Sequence, residues 1–425
     1  MQTPERTFRP GPLRGEARLP GDKSISHRAA IVAAAFAEPT RISGINTGRD
    51  VAATLGALRA VGAQVERDDE TVTIRGGALR SPECVLDCMN SGSTARMVMG
   101  LCAGAAVEAR FDGDASLRRR PMEHVAAQLR AFGAHVVTSD GRLPATVRGT
   151  RSPETRAFIL LEPSAQVKSA LLFAGLFAGV PVAVHGDRGS RDHTERLLEY
   201  LGATIERSAT RAALVAPPVG PRPIAIPRDP SAAAFFATAA AIAPGSEIAM
   251  REVCVNPTRT GLFDALRAMG AGVEYRNERI CCGEPVADVV VRHAPLRGIS
   301  VDAATALRAI DEVPLIAVAA AFALGRTTIT GIRALRTKES DRIRAVERLL
   351  RAVGIAVEET PSGIAIEGGT PSVRDARVQT DGDHRIAMAA AVLACACGPL
   401  HVDDADCIAV SFPEFGEILD EVRAA

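Results

Sequence analysis

Leu58-Arg59-Ala60-Val61-Gly62-Ala63 returns with little change as Leu129-Arg130-Ala131-Phe132-Gly133-Ala134, Leu198-Glu199-Tyr200-Leu201-Gly202-Ala203, Leu266-Arg267-Ala268-Met269-Gly270-Ala271 and Leu350-Arg351-Ala352-Val353-Gly354-Ile355. The glycines advance by steps of about 70 residues, the last step being longer, and a fixed period of this kind marks a chain built from repeated structural units. Glu417-Ile418-Leu419-Asp420-Glu421-Val422-Arg423-Ala424-Ala425 reads as a sixth copy that stops before its glycine. Each phrase is the end of an amphipathic helix, with Val346, Leu349, Leu350 and Val353 on one face, closed by a glycine able to adopt the left-handed conformation of a helix C-terminus. Alternating stretches such as Thr71-Val72-Thr73-Ile74 follow as strands.

Between the phrases lie more apolar, Ala-rich stretches at 24–36, 93–103, 164–177, 231–242, 311–324 and 384–395, which predict helices buried on most sides. The unit therefore reads strand, buried helix, strand, surface helix and two strands, an α/β pattern. Six units divide three by three into two domains, residues 20–227 and residues 1–19 plus 228–425. The proline-rich run 215–223 suits the seam, and the strand before Leu19 joins the second domain, so the chain crosses twice.

A chain of 425 residues has material for two or three cores. Its 50 basic and 50 acidic residues balance, so no general charge draws it to nucleic acid or an anionic membrane, and any anion must be gripped locally. Aromatic residues make up 4% with no Trp, which disfavours base-stacking platforms. The apolar runs 232–243 and 315–324 are too short to span a bilayer, and the N-terminus lacks a secretory pattern; a cytoplasmic protein is expected. Nine cysteines without CxxC spacing predict buried free thiols, and eight scattered His predict no metal and no cofactor.

Chemistry-bearing residues collect where helices begin. Gly21-Asp22-Lys23-Ser24-Ile25-Ser26-His27-Arg28 sets a turn, a Lys, two hydroxyls and an Arg at a helix N-terminus, where free N–H groups favour an anion. An ordinary Ser cap with exposed cations reads the same segment equally well. The arrangement recurs in Asn90-Ser91-Gly92-Ser93-Thr94-Ala95-Arg96, Pro163-Ser164-Ala165-Gln166-Val167-Lys168 and Asp381-Gly382-Asp383-His384-Arg385. Surface helices add Leu117-Arg118-Arg119-Arg120-Pro121, Ser190-Arg191-Asp192-His193 and Lys338-Glu339-Ser340-Asp341-Arg342. Of three successive arginines at least one must be merely solvated. Asp311-Glu312 opens a buried helix, Glu312 reading best as a carboxylate favoured by the helix dipole. Clustered cations with carboxylates among them imply a small polyanion and proton transfer.

Read together, these motifs resemble the 5-enolpyruvylshikimate-3-phosphate (EPSP) synthase family of 3-phosphoshikimate 1-carboxyvinyltransferases, in order and over essentially the whole chain. The resemblance implies a two-domain inverse α/β barrel, the enolpyruvyl transferase fold, with three βαβαββ units in each domain closing on substrates. It implies transfer of the enolpyruvyl group of phosphoenolpyruvate to the 5-hydroxyl of shikimate 3-phosphate with release of phosphate, by addition-elimination through a tetrahedral intermediate, which asks for protonation rather than a metal. By resemblance Lys23, Gly92, Arg120, Gln166, Arg342 and Arg385 meet phosphoenolpyruvate, and Lys23, Ser24, Arg28, Ser164, Ala165, Gln166, Arg191, Asp311 and Lys338 meet shikimate 3-phosphate. Asp311 is the implied base for the attacking hydroxyl, Glu339 the acid toward C3, and Lys23 a further proton-transfer group.

The chain departs from the family pattern at three positions. Val410 stands where many members carry a Lys, Ala165 where some have a second Ser, and Ala334 where some have an Asn. Gly92 leaves room beside phosphoenolpyruvate, and inhibition by glyphosate is expected. The nearest rival is the transferase acting on UDP-N-acetylglucosamine, which carries a Cys in the loop where Gly113 to Pro121 has none. An RNA-terminus-processing enzyme of similar units is disfavoured by charge. A monomer in the shikimate pathway, without nucleic-acid or membrane partners, is the resulting expectation.

Overall fold

The computed structural model describes residues 5–373 and 375–423. The last two residues of the sixth phrase and residues 1–4 of the expected second domain lie outside them. The chain forms two compact units: Gly21–Ile226 with Ile280–Glu284, and a second comprising the chain before Gly21, Pro227–Arg279 and the chain from Pro285 onward. The expected domain limits assigned the segment Ile280–Glu284 to the second domain, whereas it packs with the first unit. There Ala225 donates its N–H to Cys282 Sγ at 3.2 Å, Arg196 donates to the Gly283 carbonyl at 3.3 Å, and His193 pairs with Glu284 at 2.7 Å.

The phrase glycines do what the sequence asks of them. Gly62, Gly133, Gly202, Gly270 and Gly354 have φ of 102°, 113°, 90°, 108° and 82°, conformations that end a helix and turn the chain into the next strand. Each sheet contains a parallel strand pair, and in all but the sixth a following hairpin adds antiparallel strands. Thus Ala157–Ile159 pairs in parallel with Val182–His185, which pairs antiparallel with Arg211–Ala216, itself beside Thr204–Ser208.

Three sheets are completed by strands distant in sequence. The first unit takes its leading strand from Ile224–Ala225, parallel to Thr40–Ser43. The sixth sheet has three strands, Arg6–Phe8 lying antiparallel to Leu400–Val402 and Ala376–Val378 parallel to it. Arg14–Glu16 pairs in parallel with Glu247–Cys254. The repeat is therefore closed on itself rather than laid out unit by unit.

Helices fill the interior of each unit and small sheets surround them. In the first, Gly92–Gly104 packs against Ala165–Ala178. A Cβ on Gly100 would strike the backbone of Ala170, and one on Gly104 the backbone of Ala174, so facing small residues let the two backbones touch. In the second, Pro230–Ile242, Val313–Ala321 and His384–Cys397 pack pairwise. Every residue of Pro230–Ile242 is buried, and Phe412 and Phe415 meet Phe236 edge-on or tilted at 6.2 and 5.7 Å.

The buried helix expected from 311 begins at Val313 with Glu312 as its cap, Pro314 occupying the first turn where no N–H is required. All nine cysteines are free thiols; Cys84 is exposed and Cys281 and Cys282 half-buried, correcting the expectation that all are buried. No helix among the described residues is long and apolar enough to cross a membrane.

Candidate active site

In the first unit the buried helices present their N-termini with caps satisfied. Asp22 accepts the N–H of Ile25 at 2.7 Å, Ser91 that of Thr94 at 3.1 Å and Ser164 that of Val167 at 3.4 Å. Lys23, on the first turn of Lys23–Ala33, extends to Asp50 at 2.7 Å, both largely buried. Arg28, one turn on, donates to Thr194 Oγ1 at 2.9 Å, the Ser24 carbonyl at 2.8 Å, Ser169 Oγ at 3.0 Å and, more weakly, the Ala165 carbonyl at 3.5 Å. Arg191 donates to Ser24 Oγ at 3.2 Å. The expected group Ser24, Arg28, Ala165 and Arg191 is thus brought together, with Ser164 capping beside it.

A second group forms around Gln166. Arg96 donates to Gln166 Oε1 at 2.7 Å and to the Pro121 carbonyl at 3.0 Å, while Gln166 donates to Ser93 Oγ at 2.9 Å. Gly92 lies against Arg96 and Arg120: a Cβ there would stand 2.6 Å from one Arg96 nitrogen and 3.5 Å from one of Arg120. Of the arginine triplet only Arg120 turns inward, donating to Asn90 Oδ1; Arg118 pairs with Asp112 at 2.5 Å and Arg119 is exposed. Below these groups Lys168, fully buried, bridges Asp187 at 2.6 Å and Glu195 at 2.7 Å. Burial opposes its charge, and Glu195 and Asp187 more than offset this, so its pKa is raised and the Lys stays protonated.

The second unit gathers Asp311, Lys338, Glu339, Arg342 and Arg385. Lys338 reaches Asp311 Oδ1 at 3.2 Å and Arg342 the same oxygen at 3.3 Å. Arg342 also donates to Glu339 Oε2 at 2.5 Å and Asp383 Oδ2 at 2.8 Å. Its burial disfavours the charge, but Asp383, Glu339 and Asp311 together raise its pKa. Arg385 donates to the Asp311 carbonyl at 3.1 Å and lies 3.4 Å from Glu312, which accepts from Ser231; Arg259 donates to Ser231 at 2.9 Å. Two carboxylates, Asp311 and Glu339, therefore share one arginine, and each can hold or deliver a proton beside a cation.

A family model for EPSP synthase (3-phosphoshikimate 1-carboxyvinyltransferase) matches residues 8–419. The chain belongs to the EPSP synthase family. The chain is 46% identical over 418 residues to the 3-phosphoshikimate 1-carboxyvinyltransferase of Paracoccus denitrificans, covering 96% of this chain and 94% of that one. It is 45% identical over 429 residues to that of Nitrobacter winogradskyi, with 97% and 96% covered. The solved EPSP synthase of Acinetobacter baumannii superposes with a TM-score of 0.86 at 36% identity, over 99% of this chain and 98% of that one. An enolpyruvyl transferase of Streptomyces tendae shares the fold at a TM-score of 0.76 and 19% identity, over 99% and 98%. The enolpyruvyl transferase fold, three units to each domain, is thereby shown, and the nucleotide-sugar alternative is not favoured.

Against this EPSP synthase background, several residues touching the expected site were not singled out from sequence. Asp50, Ser93 and Arg96 contact expected residues directly, while Ser231 and Arg259 connect to Arg385 through Glu312. Arg96 alone had a local signal, four residues after Gly92 on one helix face. Val410 ends the short helix Ala405–Val410 and is half-buried, and Ala334 is exposed in Arg333–Thr337.

Proposed function

We propose that this chain carries out the reaction of its family, joining the enolpyruvyl group of phosphoenolpyruvate to the 5-hydroxyl of shikimate 3-phosphate on the route to chorismate. Full-length membership carries the reaction; the assignment of roles to residues rests on the hydrogen-bonded clusters. The hydroxyl oxygen bonds to C2 as C3 takes a proton, and the adduct then loses a C3 proton and inorganic phosphate. Because the breaking bond is C–O, the demand is for proton transfer and neutralisation of anionic oxygens, which side chains meet without a metal.

In the first cluster Ser24, Arg28, Ser164, Ala165, Gln166 and Arg191 take shikimate 3-phosphate, Ala165 through its backbone, and Arg120, Gln166 and Gly92 take phosphoenolpyruvate. Lys23 serves both and shares in proton transfer. In the second, Asp311 is the base for the hydroxyl, Glu339 the acid toward C3, Lys338 a contact to shikimate 3-phosphate, and Arg342 and Arg385 contacts to phosphoenolpyruvate. The pairing of Glu339 with Arg342 at 2.5 Å keeps the carboxylate oriented. The reading extends to a cytoplasmic monomer without nucleic-acid or membrane partners, supported by balanced charge and free thiols.

Glu339→Gln keeps the shape and removes the transferable proton. Turnover should fall about a hundredfold or more while shikimate 3-phosphate affinity, measured by calorimetry, stays within a fewfold. Unchanged turnover would remove Glu339 from the proton path.

A further inference from the structure

The hairpin formed by Gly272–Cys281 and Glu284–Arg292 turns through Cys282 and Gly283, both at positive φ, 48° and 86°. Two-residue turns of this kind favour Asn, Asp or Gly at the first position, and a cysteine there pays a steric cost that asks for a reason. Its surroundings supply one. The Ala225 N–H points at Cys282 Sγ from 3.2 Å. The Cys281 thiol donates to the Ala225 carbonyl at 3.7 Å, so both sulfurs meet the backbone of the same residue. Tyr200 stands beside the pair, its hydroxyl donating to the Pro223 carbonyl at 2.7 Å. A backbone N–H aimed at one sulfur, with a second thiol on the adjacent residue held at the same peptide group, suits a thiolate, and both cysteines are half-exposed, open to a small reagent.

We propose that Cys282 is a reactive thiolate and that Cys281 and Cys282 together form a peroxide-responsive dithiol. The Cys282 sulfur attacks a hydroperoxide; the S–O bond forms, the O–O bond breaks, and hydroxide or an alcohol leaves. Cys281 then attacks the sulfenic acid, a disulfide forms and water departs, so that one hydroperoxide has oxidised two thiols. Adjacent Cα atoms lie closer together than relaxed disulfides prefer, so the product is strained and easily reduced, which suits a reversible site. The donors depress the Cys282 thiol to about 6, Cys281 contributing most, against burial that pushes it up. Oxidation discharges the sulfur that accepts the Ala225 N–H and so weakens one hold on the edge strand Ile224–Ala225, which pairs with Thr40–Ser43.

The test needs no substrate and is independent of the proposed reaction. The intact protein is treated near neutral pH with limiting iodoacetamide, digested with trypsin and read by mass spectrometry, with exposed Cys84 as internal reference. Cleavage after Arg279 and Arg292 isolates both cysteines in one peptide. Cys282 should alkylate about tenfold faster than Cys84, and Tyr200→Phe should narrow the difference. After hydrogen peroxide the peptide should be lighter by about 2 Da, the loss of two hydrogens, and recover on reduction. Cys281→Ser should instead give a dimedone adduct on Cys282. Alkylation of Cys282 no faster than that of Cys84, or a peptide unchanged by peroxide, would overturn the proposal; trapped sulfenic acid in the unsubstituted protein without the mass loss would overturn the role of Cys281.

Discussion

Gly92 has no side chain, and the space a methyl group would need is taken by the Arg96 guanidinium, 2.6 Å from the position of its Cβ. Arg96 in turn holds Gln166 at 2.7 Å. Gly92→Ala should therefore displace Arg96 and Gln166 together, raising KM for phosphoenolpyruvate about tenfold with a smaller change in kcat. Steady-state kinetics check this, and an unchanged KM would contradict it. His27, on the same helix as Lys23, donates or accepts one bond with Thr54 at 2.7 Å and is fully buried. Burial first, then the positive charges of Lys23 and Arg28, lower its pKa well below 6.5. The unfolded chain then takes up this proton before the folded one, so the contribution is fully present above 6.5 and lost as pH falls below it. The urea midpoint should drop between about pH 7 and about pH 5, and His27→Gln should flatten that drop; parallel slopes would contradict the assignment. Residues with motif context, such as Arg28 and Gln166, were legible as candidates from sequence. Asp50 and Arg259 were not, because their roles come only from partners 27 and 28 residues away, brought near by folding.

Helix ends were the most legible elements, since a left-handed glycine after an amphipathic run is a local requirement that sequence states directly. The pairing of Ile224–Ala225 with Thr40–Ser43, and of Arg6–Phe8 with Leu400–Val402, was not legible. Short edge strands carry little alternation, and nothing local names a partner hundreds of residues distant. The contact between Gly92–Gly104 and Ala165–Ala178 depends on facing small residues, with no room at Gly100 beside the Ala170 backbone. Because the obstacle is main chain rather than a movable side chain, Gly100→Ala should cost about 1–3 kcal/mol. In a thermal melt that is a drop of roughly 2–10 °C, whereas an unchanged Tm would mean the helices can separate freely.

For the molecule as a whole, 50 basic and 50 acidic residues cancel, yet cations are concentrated in two clusters where they already lie against carboxylates. Arg342 touches Asp311, Glu339 and Asp383, so an arriving anion competes with internal partners rather than entering bare positive charge. Such a site discriminates by the geometry of replacing those partners, which suits a specific small polyanion better than general attraction. The measurement that tests this most directly is phosphate release from phosphoenolpyruvate, without added metal, in parallel with shikimate 3-phosphate and with UDP-N-acetylglucosamine. Release only with shikimate 3-phosphate, with a carboxyvinyl mass added to that acceptor, is the predicted result; release with the nucleotide sugar instead, or with neither, would contradict it.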